Sequence, residues 1–183
     1  MMKQEPYRLE GLEYYSTCLW HLKKQTDLVH LSKYAMDRCM YAPETWCILG
    51  NCYALQKEHE TALKYFQKAI QIDKYFSYAH TLSGHEYVDN ENFDQAKKCY
   101  KEAIKCDERH HNAWWGLGNI HQKQENYENA TNNFKMAINI NKQSAVLHTY
   151  LGMNYHYQDK VQMALNEFEI ACKIDPKNRM NKY

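Results

Sequence analysis

With 183 residues, 44% of them hydrophobic, the chain is long enough for one domain that buries roughly 70% of its unfolded surface if compact, somewhat less as a solenoid. No apolar run approaches a transmembrane span, and 23 Lys and Arg against 22 Asp and Glu leave a net charge of +1, so no global field draws it to a membrane or to nucleic acid. Seven cysteines, an odd number with no CxxC pair, read as reduced thiols of an intracellular protein, with Cys47, Cys52, Cys99 and Cys172 on packed or half-packed surfaces.

The opening MMKQEPYRLE has no apolar signal core, which places the protein in the nucleus or cytoplasm, and residues 1–8, with Pro6, read as a flexible lead-in. Leu9 to Lys24 and Asp27 to Tyr41 follow as two helical patterns that make a degenerate pair over 9–42. From Pro43 onward the pattern is regular. Proline suits a first helical position, where its missing N–H has no partner to lose. Gly50, Gly84, Gly118 and Gly152 recur every 34 residues, as do Ala62, Ala96, Ala130 and Ala164, the aromatics Phe66, Tyr100, Phe134 and Phe168, and Ala69, Ala103, Ala137 and Ala171. Large and small residues spaced by three and four describe two amphipathic helices per period. The stretch His111 to Ser144, with Trp114, Leu117, Gly118 and Ala130, shows it most fully.

A helix-turn-helix of 34 residues with W-x2-L-G, then alanine, an aromatic and alanine is the tetratricopeptide (TPR) pattern. It predicts an all-α fold, a right-handed superhelical α-solenoid, with repeats at 43–76, 77–110, 111–144 and 145–178 and a tail over 179–183. Projected backward, the register puts Ser16 where the glycine belongs and Leu28 where the first alanine belongs, as fits a capping repeat. Small residues at the crossings let the paired helices approach, and Trp114, Leu117 and Phe134 fill the remaining volume. Leu165, Phe168 and Ile174 on the last helix should show an apolar edge, suited to a homodimer or larger assembly.

Chemistry is sparse. No phosphate loop is present, and the glycines of Gly116-Leu-Gly118 serve packing, with His121 where a third glycine would stand. His85-Glu86 is followed by Asp89 where a zinc motif needs its second histidine. Catalytic residues, metal ligands and cofactors are therefore not expected. The sequon at Asn129-Ala130-Thr131 lies inside a repeat helix.

What such a stack offers is a groove lined by its first helices. The position after each glycine reads Asn51, His85, Asn119 and Met153; the position four earlier reads Cys47, Thr81, Trp115 and Thr149. Tyr78 lies near a helix start, Asp89 and Lys123 near helix ends. Asn51 and Asn119 can grip a peptide backbone or a terminal carboxylate, because a side-chain amide both donates and accepts. Tyr78 and Trp115 can receive an aliphatic side chain. Glu86 stands where a small residue usually packs, so its carboxylate needs either an imidazole, from His80 or His85, or an arginine brought by a ligand.

The pieces YSTCLWHL (Tyr15–Leu22), Trp46 to Tyr53, Leu55 to His59, Tyr78 to Val88 and Asn112 to Gly118 go beyond the general pattern. From about Gly11 onward the chain resembles the C-terminal half of the coactivator-docking TPR subunit of the anaphase-promoting complex (cyclosome). That resemblance implies a non-catalytic scaffold of a ubiquitin ligase active in mitosis and cell division, neighbouring other TPR subunits and receiving the Ile-Arg C-terminal tail of a coactivator or core subunit. Carried onto this chain, Asn51 would hold the tail, His85 and Asn119 would extend the polar track, and Glu86 or Asp89 would meet the arginine. A co-chaperone adaptor for acidic chaperone tails is the alternative, but it needs basic groove residues, and Lys123 alone fits. An RNA-binding helical repeat would need alternating basic and aromatic residues, which the balanced charge disfavours.

Overall fold

The computed structural model describes residues 9 and 11–176; the lead-in over 1–8, the tail over 179–183 and the last two residues of the repeat ending at 178 lie outside them. Among the described residues there are ten helices and no strand: α1 (Leu12–His21), α2 (Gln25–Arg38), α3 (Pro43–Leu55), α4 (His59–Ile72), α5 (Ser77–Asp89), α6 (Phe93–Cys106), α7 (His111–Lys123), α8 (Tyr127–Ile140), α9 (Ala145–His156) and α10 (Val161–Ile174). None is long and apolar enough to cross a membrane. The helices fall into two compact units, Met1–Cys106 with α1 to α6 and Asp107–Tyr183 with α7 to α10.

Within each regular pair, the glycine of the first helix seats the aromatic ring of the second. Gly50 takes Phe66, Gly84 takes Tyr100, Gly118 takes Phe134 and Gly152 takes Phe168. A Cβ on Gly118 would stand 2.6 Å from Phe134 Cε1, and one on Gly152 2.7 Å from Phe168 Cε1, inside the distance at which carbon atoms repel. The space the glycine leaves is therefore filled by the ring. Around this contact lie the alanines of the period, from Ala62 to Ala171, all buried.

A second periodic device closes the seam behind each pair. The fourth-position ring of each first helix meets the carbonyl six residues earlier: Trp46 on Met40 at 2.7 Å, His80 on Lys74 at 3.1 Å, Trp114 on Glu108 at 3.1 Å and His148 on Lys142 at 3.4 Å. Carbonyls near a helix end have no intrahelical donor, and these rings supply one.

The first pair of unit 1 departs from this plan. Ser16 stands in the glycine's place and Ser32 in the ring's, and their hydroxyls turn back to the carbonyls of Glu13 (2.6 Å) and Val29 (2.8 Å). With no ring seated between them, α1 packs more extensively on α3 than on α2. Leu19, Leu28 and Cys52 form one small core there, and Leu9, Ala35 and Ile48 another.

The turns hold a feature that composition concealed. Each pair bends through one residue of left-handed backbone: Lys23 (φ 56°), Lys57 (φ 64°), Glu91 (φ 57°), Glu125 (φ 59°) and Asp159 (φ 57°). A side chain in that region costs about 1–2 kcal/mol, and glycine relieves it while losing some chain entropy. Glu91→Gly and Glu125→Gly are each expected to stabilise the protein by about 0.5–1 kcal/mol, read as a higher urea midpoint with unchanged slope.

The seven cysteines form no disulfide. Cys47 and Cys52 are buried and Cys99 half-buried, its thiol pushed up to about 11 by burial, with Glu102 adding to the effect. Cys172 corrects the sequence reading, because it points outward from α10 and is exposed. On the same helix Leu165 is 50% exposed, whereas Phe168 and Ile174 are half-buried, the former by its seat on Gly152. Asn129 of the sequon sits in the first turn of α8, where its backbone N–H donates to the Asn126 side chain at 3.3 Å.

Candidate functional site

In unit 1 two of the residues expected to line a groove, Asn51 and Tyr78, meet α1 instead of open space. Asn51, on α3, is buried, and its amide donates to Ser16 Oγ at 2.8 Å and Thr17 Oγ1 at 3.2 Å. Tyr78, on α5, is 5% exposed; its hydroxyl bonds Thr17 and donates to the Glu13 carbonyl at 3.2 Å, and its ring lies 4.9 Å from that of Tyr14. Burial pushes the Tyr78 phenol well above its ordinary range, so the hydroxyl keeps its proton and can donate. Both residues thus grip a helix of their own chain. The expectation that Tyr78 offers an open seat for an aliphatic side chain is corrected, since Tyr14 and Phe76 already pack against it.

Thr81 and Glu86 also need correction. Thr81 is 2% exposed and returns its hydroxyl to the Ser77 carbonyl at 3.0 Å, as a buried helical threonine does when no other acceptor is near. Glu86 is 4% exposed and faces α4, where its Oε2 lies 3.2 Å from His59 Nδ1. Its imidazole partner is therefore His59, neither His80 nor His85, and its carboxylate is enclosed rather than presented to a ligand's arginine. Burial raises the Glu86 carboxyl above the usual glutamate range, His59 offsets part of that rise and Asp89 adds a little. His85 is half-buried, with Nδ1 2.7 Å from the Tyr100 hydroxyl, and Asp89, in the last turn of α5, is exposed.

In unit 2 the expected residues stay accessible. Trp115, Asn119 and Lys123 lie four apart on α7, so they share one face; the first two are half-buried and the third exposed. The Trp115 ring meets Tyr150 edge-on at 5.2 Å and packs onto the core of Ala130, Phe134, Leu151, Tyr155 and Ala164. That contact fixes its orientation, leaving an indole, an amide and an ammonium in sequence along the helix. Among the described residues no three His, Cys, Asp or Glu side chains gather as metal ligands.

Several participants escaped the sequence reading. Glu13, Ser16 and Thr17 stand 61 to 65 residues from Tyr78 and 34 to 38 from Asn51, and α1 looked only like a worn repeat. His59 opens α4 at a place the repeat pattern leaves free. In unit 2, His148 joins Glu167 at 2.7 Å across α9 and α10. Its position in the 34-residue register, shared with Trp46, His80 and Trp114, was the signal that could have revealed its inward aim.

Comparison with known proteins agrees with the ring seats and the period. The family model described as Tetratricopeptide repeat matches residues 43–76 and again 111–144, and one described as TPR repeat matches 84–125. The chain belongs to the tetratricopeptide repeat family. Among curated TPR relatives, it is 51% identical over 88 residues to Cell division cycle protein 27 homolog A of Arabidopsis thaliana, a match covering 48% of this chain and 12% of that protein. It is 48% identical over 88 residues to Anaphase-promoting complex subunit 3 of Schizosaccharomyces pombe, covering 48% and 13%, and 55% identical over 69 residues to the Homo sapiens Cell division cycle protein 27 homolog, covering 38% and 8%. The matches therefore span about an eighth or less of these relatives' length. A solved structure titled "Crystal structure of APC/C hetero-tetramer Cut9-Hcn1" superposes with a TM-score of 0.85 over 96% of this chain and 33% of that one, at 23% identity. At that identity the likeness establishes the TPR fold alone.

Proposed function

We propose that this chain is a non-catalytic interaction scaffold that works in the nucleus or cytoplasm within an anaphase-promoting complex, beside other TPR subunits, and receives the C-terminal tail of a coactivator or core subunit. Identity of 48% over 88 residues to Anaphase-promoting complex subunit 3 of Schizosaccharomyces pombe supports the setting. The face of α7 supports the tail. Trp115 offers an apolar plane for an aliphatic side chain, Asn119 a donor and acceptor for the peptide backbone, and Lys123 a cation for the terminal carboxylate.

The test is a titration of the chain with a peptide ending in Ile-Arg, its amidated form and an acidic chaperone-type tail. The free Ile-Arg end is expected to bind best, with binding about tenfold weaker on amidation, the scale of one hydrogen bond to a charged group, and about three- to tenfold weaker on Asn119→Ala, the scale of a neutral one. Preference for the acidic tail would transfer the reading to a co-chaperone adaptor. Equal affinity for all three peptides would sink both readings.

A further inference from the structure

Inside each unit a first helix packs on the second helix of the pair before it, α5 on α4 and α9 on α8. The polar contacts across these two joints fall at matching places in the 34-residue register. Glu86 of α5 meets His59, the first residue of α4, at 3.2 Å. Asn154 of α9, at the register place of Glu86, donates to the carbonyl of Tyr127, the first residue of α8, at 3.0 Å and to Thr131 Oγ1 at 2.7 Å. Gln158, one turn beyond, reaches the same two residues at 3.4 and 3.0 Å. The late part of each first helix thus sits on the opening turns of the second helix before it, and the antiparallel fit brings opposite ends of the two helix dipoles together.

The first and last helices each present one half of such a joint. In α1 and the turn after it, Tyr15, Cys18 and Leu22 hold the register places of Leu151, Asn154 and Gln158. Leu151 and Asn154 are buried, whereas Tyr15 is 51% exposed, Leu22 64% exposed and Cys18 exposed. On α10, Val161 and Leu165 hold the places of Tyr127 and Thr131. Thr131 is buried, whereas Val161 is 57% and Leu165 50% exposed. Spacing by three and four puts each set on one face of its helix. Both faces have also exchanged the amides and hydroxyl of the inner joint for side chains with little or no hydrogen bonding to satisfy. A polar partner of the Asn154 or Thr131 kind would strand its own groups against either face, at the cost of an unpaired buried hydrogen-bonding group. The register sets Cys18 and Leu22 opposite Val161 and Leu165, apolar against apolar, and one chain carries both halves.

We infer that copies of this chain associate head to tail, α10 of one copy on α1 of the next, with Val161 and Leu165 seated against Cys18 and Leu22. The joint repeats between copies the packing that α8 and α9 make within one. It goes beyond the tail reading given above and does not depend on it. Because two different faces meet, the contact is heterologous: each pair of copies keeps one open α1 face and one open α10 face, so copies add as concentration rises instead of stopping at a two-fold dimer.

The experiment is sedimentation velocity of the chain, under reducing conditions and across the micromolar range, beside its Cys18→Lys and Leu165→Lys variants. The average mass of the unaltered chain is expected to rise with concentration. Each lysine, placed on an exposed position, should leave helix content unchanged and weaken association at least about tenfold, because the joint would bury its charge unpaired. An equimolar mixture of the two variants should form a dimer and go no further, since one keeps a working α10 face and the other a working α1 face. An unaltered chain that stays monomeric would overturn the inference and assign both faces to other proteins. Association lost with Leu165→Lys but kept with Cys18→Lys would overturn it in favour of a two-fold contact through α10, and a mixture that stays monomeric would also overturn it. Should either lysine variant lose helix content, Leu165→Cys decides: mild oxidation should link position 165 to Cys18 of another copy, a link lost when Cys18→Ser is added, and absence of that link overturns the inference.

Discussion

Phe134→Ala is expected to cost unit 2 about 3–5 kcal/mol, the range for truncating a fully buried aromatic in a well-packed core. The ring is 0% exposed and fills the gap opposite Gly118, so removing it leaves an unfilled space that the rigid helices on either side cannot close. It also touches Tyr150, with centroids 6.0 Å apart, and through that residue the edge-on contact that aims Trp115. The loss should appear as a lower urea midpoint with an unchanged slope, together with weaker tail binding. Gly118→Ala approaches the same contact from the other side and should also destabilise, because its methyl would enter the ring's volume. A neutral result for both would mean that the glycine and ring do not form the joint described here.

His59→Ala is expected to cost about 2–3 kcal/mol at neutral pH, as when a buried charged group loses its hydrogen-bonding partner. Glu86 is 4% exposed, and His59 is its one partner in an ion pair or hydrogen bond among those described. The pH dependence has a definite sign. Burial raises the folded-state affinity of the Glu86 carboxyl for its proton, so this group favours the fold while protonated and opposes it as pH rises through the raised value. The penalty from His59→Ala should therefore be large at about pH 7.5 and shrink toward about pH 4, where the carboxyl regains its proton. Glu86→Gln in the same background should recover most of the loss and flatten the profile. A loss independent of pH and not recovered by Gln would locate the effect in imidazole packing rather than in the stranded carboxylate.

The regular repeats were legible because their contacts close within one period. Gly50 and Phe66, or Gly118 and Phe134, are 16 residues apart, and the residue types alone name the joint. The accessible row of Trp115, Asn119 and Lys123 was legible for the same reason, since spacing by four puts side chains on one face. Asn51, Tyr78 and Thr81 were harder to read. The register assigns a face to a side chain, but whether that face is open depends on a contact from outside the period, here α1 reaching across to Tyr78. Glu86 was visible as an anomaly without its partner, because His59 sits where the pattern imposes no residue type. The left-handed turn residues were hidden for a simpler reason: Lys, Glu and Asp occupy positions where glycine would have announced the backbone.

The seating of each ring within its own 34-residue span bears on how such a chain can change length. Gain or loss of a whole span by genetic duplication or excision leaves every remaining aromatic with its own hollow. A change of any other size that falls between a glycine and its ring separates the two and exposes both, whereas one in the turn between spans leaves each pair intact. Arrays built this way can therefore vary in whole increments or in the turns that join them, and substitutions that tune one increment's surface need not be matched by compensation elsewhere.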